Sequence, residues 1–437
     1  MRLPFMSTGA MNLEKLSAAS WRVLALLGFS VFMSFVDRGN LSIAAPLLKD
    51  ELHLSASRLG LLLSAFFWSS SFSVLLMGSL IDRFNVAWIL AGGFFLWSVA
   101  TTATGFVHGF AALLTMRILL GIGESVAYPA YGNIFARHFP EHHRGIANGV
   151  IGASQACGPA FATYAGGMVI GRFGWRPFFI FLGLANLPWL PLWFRWRPRD
   201  TPEAAEQPAH PFAGTLEVVK QRSAWGTCVG LFSANYVAYL LLTWLPFYLV
   251  RERHFSLVAT GKIAGVAFLL KAATAIASSQ VSDRWISSGA SPTLVRKTFL
   301  CAGSTLAGTF LVLSALTPTN ASVFFLMAAT FSVGLTTPHH FAASQTLAGR
   351  RMAGTWTGFQ GCIGNFAGIL APAITGFILD RTGKFFWAFV ITALVGWAGA
   401  LSWLLLVGPL RQVVWLPSSF TNPGSGSFTE RVAASPD

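Results

Sequence analysis

Two pairs of opposite charges stand where charge is expensive. Arg117 and Glu124 lie seven residues apart in an apolar stretch from about Phe110 to Ile134. On a helix that spacing puts them on one face, two turns and roughly 10 Å apart. Asp37 and Arg38 adjoin each other in a comparably apolar stretch over about 21–45. Neighbours on a helix point about 100° apart, so these two need not pair with each other. A charge near the centre of a bilayer costs at least about 2.5–3 kcal/mol, so such residues face a bundle interior or a wet cavity. Desolvation favours a neutral carboxyl and a nearby guanidinium an ionised one, opposed influences that suit a group which loads and unloads a proton. A guanidinium in the same space offers a planar fork to a carboxylate. The plainer reading of both pairs is structural, as ion pairs between helices or as part of a gate.

Other polar residues in apolar runs have structural as well as functional readings. Lys271 is a second contact for an anion, a counter-charge for Asp37 or Glu124, or a side chain snorkelling to an interface. Asn235, Tyr236, Tyr239 and Trp244 recur at helical spacing, as the wall of a cavity for a polyhydroxylated ligand or as a packing stripe. His339–His340 follows Pro338 with no further metal ligands at useful spacing, so a helix-end or gate position is expected and no metal. Cys157, Cys228, Cys301 and Cys362 lie within apolar runs without a C-x-x-C spacing and read as small core residues. No nucleophile, base and orienting group stand together in the spans, so neither an enzyme nor a cofactor is expected.

The elements that must position these residues are membrane spans. Hydrophobic residues make up 54% of the chain and charged residues 11%, with a mean hydropathy of +0.59, far from soluble averages. Apolar runs fall at about 21–45, 58–81, 86–106, 110–134, 145–170 and 175–195, then at 224–250, 259–282, 296–316, 321–347, 353–379 and 385–410. The fold class expected is an all-α membrane protein with twelve transmembrane helices in two six-helix bundles, 21–195 and 223–410. A segment 1–20, a linker 196–222 too short for a folded domain, and a tail 411–437 would all be cytoplasmic. The formal charge of +14 does not point to nucleic acid, because the basic residues gather in short loops between spans. Their bias, roughly two to one, puts both termini and the linker in the cytoplasm. Met1–Ser20 does not read as a cleaved signal, since the following apolar run continues into a full span.

The two halves resemble each other. Gly145, Gly149, Gly152, Gly167 and Gly174 recur at a fixed offset of 209 as Gly354, Gly358, Gly361, Gly376 and Gly383. Asp82–Arg83 after the second run and Asp283–Arg284 after the eighth repeat at a slightly different offset. Parallel halves with a site between them are a transporter architecture. Gly158–Pro159, within the fifth run, permits close helix packing.

Gly78-Ser-Leu-Ile-Asp82-Arg83 resembles a degenerate loop signature of the major facilitator superfamily. R-I-L-L-G-I-G-E-S-V-A-Y-P-A over Arg117–Ala130, then F-A-R-H-F-P-E-H-H-R-G, G-W-R-P-F-F and T-W-L-P-F-Y-L, are similar to its anion:cation symporter branch. The match runs from Phe29 to Gly383. The resemblance implies import of a small organic anion, most simply a sugar acid, coupled to protons, by a monomer in the cytoplasmic membrane. It implies that Asp37 and Glu124 titrate, that Arg38 clamps the substrate carboxylate, and that Arg117 is a charge partner. It adds Gln155 and Asn365 as polar substrate contacts beside Lys271, Tyr239 and Trp244. Asp82, Arg83, Arg144, Asp283 and Arg284 become gate and loop residues. Phe35 and Ser70 replace tyrosines of the galactonate carriers, and Gly361 an asparagine of many relatives, which keeps an aromatic or dicarboxylic acid open as substrate. A non-transporting nutrient sensor is the alternative from another class.

Overall fold

The computed structural model describes residues 17–139, 141–198 and 215–415, and every regular element among them is a helix. The chain runs as α1 (Ala18–Glu51), α2 (Ala56–Arg83), α3 (Val86–Thr104), α4 (Phe110–Glu124), α5 (Ala127–His138), α6 (Glu141–Phe173), α7 (Trp175–Asn186) and α8 (Trp189–Trp196). It continues as α9 (Thr215–Val219), α10 (Arg222–Arg251), α11 (Leu257–Ser287), α12 (Pro292–Leu316), α13 (Thr319–Thr382) and α14 (Phe386–Leu405). Ten of the described helices are long and apolar enough to cross a membrane by length and composition. In that count α4 with α5, and α7 with α8, each form one span. The chain of α13 folds back at Gly349, whose φ of 64° lies in the left-handed region, so α13 is two antiparallel arms.

Helix starts follow short polar caps. The hydroxyls of Ser17, Ser55 and Ser256 accept the N–H of Ser20, Arg58 and Ala259 at the heads of α1, α2 and α11. The fold-back at Gly349 leaves helix-end carbonyls open, and the segment after α14 covers them. The N–H of Val413 donates to the Leu347 carbonyl at 2.8 Å, and the Trp415 indole to that of Ala348 at 2.8 Å. Residues 411–415 of the expected tail are therefore tied to the second bundle. Residues 1–16, 199–214 and 416–437 lie outside the described residues, and with them most of the expected amino-terminal segment, linker and tail.

Within the first half α1 packs on α6, α2 and α3 on α4, and α3 on α7; within the second, α10 and α12 pack on α13 and α14. The halves meet where α1 touches α10, α6 touches α11, and α2 touches the second arm of α13. Those contacts concentrate at one end. Asp50 is ion-paired with Arg251. The Asp380 carboxylate accepts the N–H groups of Ala56 at 2.6 Å and Ser57 at 2.7 Å, sealing the head of α2. Gly60 faces the backbone of Pro372 and Gly376, and Gly167 faces Gly261, with no room at either for a Cβ. At the other end a Cβ on Gly149, Gly152, Gly358 or Gly361 would meet nothing within 4 Å. The halves are shut at one end and parted at the other.

A second repeat joins the glycine register. Glu51-Leu-His53-Leu-Ser55 recurs 201 residues later as Glu252-Arg-His254-Phe-Ser256. Each carboxylate ties down the turn that leads into the last span of its own half, before α7 and before α14. Glu51 accepts from the Trp175 indole at 2.6 Å and from Arg176 at 2.7 Å, and Glu252 from the N–H of Phe385 at 3.0 Å. Both histidines turn the chain with positive φ, 49° at His53 and 60° at His254.

Candidate functional site

The central polar cluster is built by α1, α4 and α5. Glu124 ends α4, where the helix breaks over Ser125–Val126 before α5 resumes. The glycines preceding it set its position. A Cβ at Gly121 would lie 2.5 Å from the Phe66 carbonyl, and one at Gly123 2.8 Å from that of Gly93, so α2 and α3 close tightly on α4. The Glu124 carboxylate thus projects toward α1. Its Oε2 accepts from the Ser34 hydroxyl at 2.6 Å and from Arg38 Nε at 3.1 Å.

Arg38 is held flat between the rings of Phe35, 4.3 Å away, and Phe66, 4.9 Å away. Its side chain keeps 15% exposure while that of Glu124 keeps 1%. Only Nε is taken; the two terminal nitrogens of the guanidinium have no hydrogen bond among the described residues. That free edge matches the two oxygens of a carboxylate. Glu124 Oε1 is also buried and unpartnered.

Behind this pair sits Asp37, fully buried. One carboxyl oxygen accepts from Asn40 at 3.0 Å and from the Thr101 hydroxyl at 3.1 Å, while the other has no partner. Arg117 donates to the backbone carbonyl of Asp37 at 3.3 Å and leaves its own Nε unpartnered. The ion pair of Glu124 is thus with Arg38, one helix away, while Arg117 braces the backbone under Asp37. Unpartnered buried polar atoms of this number in one cluster are unusual, since nearly all such atoms in folded proteins are bonded.

Gln155 is exposed on α6 and accepts from the Tyr128 hydroxyl at 3.0 Å. Across the gap, the Tyr239 hydroxyl faces Asn365 Oδ1 at 3.5 Å, and its ring lies 4.5 Å from that of Phe67. Asn235 donates to the Gly364 carbonyl at 3.0 Å. Lys271 is half-buried on α11, with no hydrogen bond or ion pair among the described residues.

The geometry corrects two residues of the expected wall. Trp244 is fully buried; its indole donates to the Pro372 carbonyl at 3.2 Å and its ring packs on Phe247 and Phe385. It pins α10 to α13 at the shut end and lines no open space. Tyr236 is likewise core. His339 stacks on Phe299 at 4.6 Å and His340 lies 5.5 Å from Trp403, and no group of three metal-ligating side chains exists among the described residues. Asp283 and Arg284 are exposed near the end of α11. The side chains of Asp82, Arg83 and Arg144 lie outside the described residues.

Ser34, Phe66, Thr101 and Tyr128 enter the site without having been singled out from the sequence. Ser34 and Tyr128 had a readable signal. Each stands four residues from a charged member, Arg38 and Glu124, hence about one turn along the same face.

The chain is 31% identical over 406 residues to a probable L-galactonate transporter of Escherichia coli (strain K12), covering 88% of each chain. It is 30% identical to a hexuronate transporter of Bacillus subtilis (strain 168), over 91% of this chain and 96% of the relative. A crystal structure of a bacterial homologue of the human lysosomal transporter Spinster, in an inward-facing and occupied conformation, superposes with a TM-score of 0.73 at 18% identity. It covers 90% of this chain and 95% of that one, a likeness of fold. The family model described as Major Facilitator Superfamily matches residues 27–372, and the chain belongs to that superfamily of membrane transporters, beside its sugar-acid carriers.

Proposed function

We propose that this chain is a proton-coupled symporter that imports a small organic anion, in the first instance a sugar acid, by alternating access. The observation that carries it is the free edge of Arg38 beside a Glu124 carboxylate with an unused oxygen. In this reading the substrate carboxylate takes the guanidinium edge, and Gln155, Tyr239 and Asn365 offer hydrogen bonds to hydroxyls. The anion competes with Glu124 for Arg38, which favours a proton on Glu124; Asp37, behind it, is the second titrating carboxyl. Coupling follows because the loaded carrier holds substrate and proton together, while the empty carrier must shed the proton before Arg38 and Glu124 pair again.

In the same reading α2, of 28 residues, and α6, of 33, also cross the bilayer. At about 1.5 Å per residue each exceeds the roughly 30 Å hydrocarbon core. Twelve spans then form two six-helix bundles, 21–195 and 223–410, joined by the linker 196–222. Both termini are cytoplasmic, the parted end opens to the cytoplasm, and the protein works as a monomer in the inner membrane. Asp82, Arg83, Arg144, Asp283 and Arg284 belong to the cytoplasmic gate loops. The test is counterflow into proteoliposomes against a panel of sugar acids and other carboxylates, with and without an imposed proton gradient. Exchange of at least one sugar acid, with accumulation only when the gradient is inward, is expected. A protein that exchanges no carboxylate, or accumulates one equally well without the gradient, is not this symporter.

A further inference from the structure

Lys271 is a half-buried cation with no counter-ion among the described residues. Its helix, α11, packs on α6 and on α13, and the sequences of these three helices hold three carboxylates. Glu141 opens α6, Asp283 stands near the inner end of α11, and Glu124 and Asp37 belong to neither. Asp283 is twelve residues from Lys271, about 18 Å along the axis. The remaining carboxylate, Asp380 on α13, is engaged at the shut end by Ala56 and Ser57. The carboxylates of the first half are occupied too. Glu124 is bound by Arg38 and Ser34, and Asp37 by Asn40 and Thr101.

The position of Lys271 excludes a snorkelling role. The exposed apolar stripe of α11 includes Val266, at 55% exposure, and Leu269, at 52%. Lys271 follows Leu269 by two residues, about 200° around the helix, so it turns away from that stripe. Its own backbone lies against Gly334 of α13.

Its depth is fixed by the register of α6 on α11. Gly167 lies against Gly261, and Tyr164 and Ala160 lie against Gly265, so the two helices run antiparallel. Six residues past Gly265, about 9 Å further from the shut end, Lys271 comes level with Gln155. Arg38 adjoins Gly39, which packs on Pro159 and Ala162 of the same α6. On this register the Arg38 backbone, in the other half, lies about 5–7 Å nearer the shut end than that of Lys271. Gln155, level with Lys271, accepts from the Tyr128 hydroxyl of the first half.

The region as a whole carries Arg38, Arg117 and Lys271 against only Asp37 and Glu124. It is net positive whichever carboxyls are protonated, and most positive when both are. A substrate with one anionic group satisfies Arg38 and leaves Lys271 unpaired when the halves close over it, which is unfavourable for a cation taken out of water. We infer that Lys271 forms a second anion subsite, and that the transported substrate carries two anionic groups, one for Arg38 and one for Lys271. This rests on the organic-anion reading above and narrows it from carboxylates in general to dianions of a length that bridges the two cations.

The test uses purified full-length protein in proteoliposomes and two six-carbon polyhydroxy acids, an aldonate with one terminal carboxylate and the matching aldarate with two. Counterflow inhibition gives the affinity of each. The wild type is expected to prefer the aldarate by at least tenfold, Lys271→Arg to keep most of that preference, and Lys271→Gln to bring the ratio close to one. Size-exclusion profiles in detergent verify that each variant is folded; a misfolded Lys271→Gln is replaced by Lys271→Met in the same comparison. A wild type that binds the aldonate as well as the aldarate overturns the second subsite while leaving the organic-anion reading intact. So does a Lys271→Gln protein that loses both acids equally. Exchange of no carboxylate at all overturns the two together, whereas exchange of another carboxylate with which the aldarate does not compete overturns the second subsite alone.

Discussion

At the residue scale, the decisive arrangement is one carboxylate shared between a hydroxyl and a guanidinium that still has a free edge. Glu124→Gln keeps the shape and mimics the protonated carboxyl. The variant should lose accumulation driven by a proton gradient but keep substrate-for-substrate exchange, because only the empty carrier needs to release a proton. A Glu124→Gln protein that still concentrates substrate against its gradient would remove Glu124 from coupling. Arg38→Lys keeps the charge and loses the edge. With a charge-assisted hydrogen bond contributing about 1.5–3 kcal/mol, affinity should fall roughly tenfold to a hundredfold. Unchanged affinity, measured by counterflow inhibition, would take Arg38 out of the site. The charged residues themselves were legible in the sequence, because charge inside an apolar run is costly and so conspicuous. Their pairing was not. Spacing within one helix ties Glu124 to Arg117, whereas the break after Glu124 and the close packing at Gly121 and Gly123 turn it toward Arg38 on another helix. Trp244 misled for a similar reason, since helical spacing places a residue on a face without saying whether that face meets a cavity or a neighbour.

At the element scale, the shut end is held by contacts that need bare backbone. At Gly60 a Cβ would lie 2.4 Å from the Pro372 carbonyl, a distance that backbone atoms cannot yield. Next to it, Asp380 supplies a carboxylate to the first N–H groups of α2, the end of a helix that favours an anion. Such a cap is typically worth about 0.5–2 kcal/mol. Asp380→Ala should therefore raise the population open at this end by a factor of roughly two to thirty. A single cysteine at Gln155, in a background lacking Cys157, Cys228, Cys301 and Cys362, would report it through faster labelling by an impermeant thiol reagent added on that side. Labelling at the parent rate would mean that Asp380 only trims the helix end. The same end contains a testable strain. His53 and His254 hold left-handed backbone, which costs non-glycine residues about 1–2 kcal/mol. His53→Gly should raise or preserve the melting temperature in detergent, and His53→Val should lower it. The apolar runs announced these helices within a few residues. The E-x-H-x-S repeat was also present in the chain, but its meaning as a paired turn needed the φ angles and the contacts of Glu51 and Glu252.

At the scale of the molecule, the glycine register makes sense as two stripes, one on α6 and one on the second arm of α13. On α6, Gly149, Gly152 and Gly167 lie along one helical face, with Thr163 between. The part of that stripe near the shut end is closed on α11, where Gly167 and the Thr163 carbonyl meet Gly261, and the part near the parted end meets nothing within 4 Å. On α13 the stripe of Gly358, Gly361 and Gly376 behaves alike, with Gly376 against Ala56 and Gly60 of α2 and the other two open. Equal offsets in the sequence thus correspond to equal roles in two interfaces, α6 with α11 and α13 with α2. Glycines facing empty space have no use in the observed state, and they forgo the helix stability of alanine at about 1 kcal/mol each. They are explained if a second state closes the parted end on them and opens the other, as alternating access requires. Gly152→Trp and Gly361→Trp separate the two cases. A Cβ at either position meets nothing within 4 Å in the observed state, so folding and substrate binding from the parted side should persist. Each should block closure there, so counterflow should fall to background, and a cysteine at Gln155 should no longer be labelled from the shut side. Either variant exchanging substrate at the parent rate would mean that the open glycines never meet a partner, and that the halves move by a different route from the one their repeat implies.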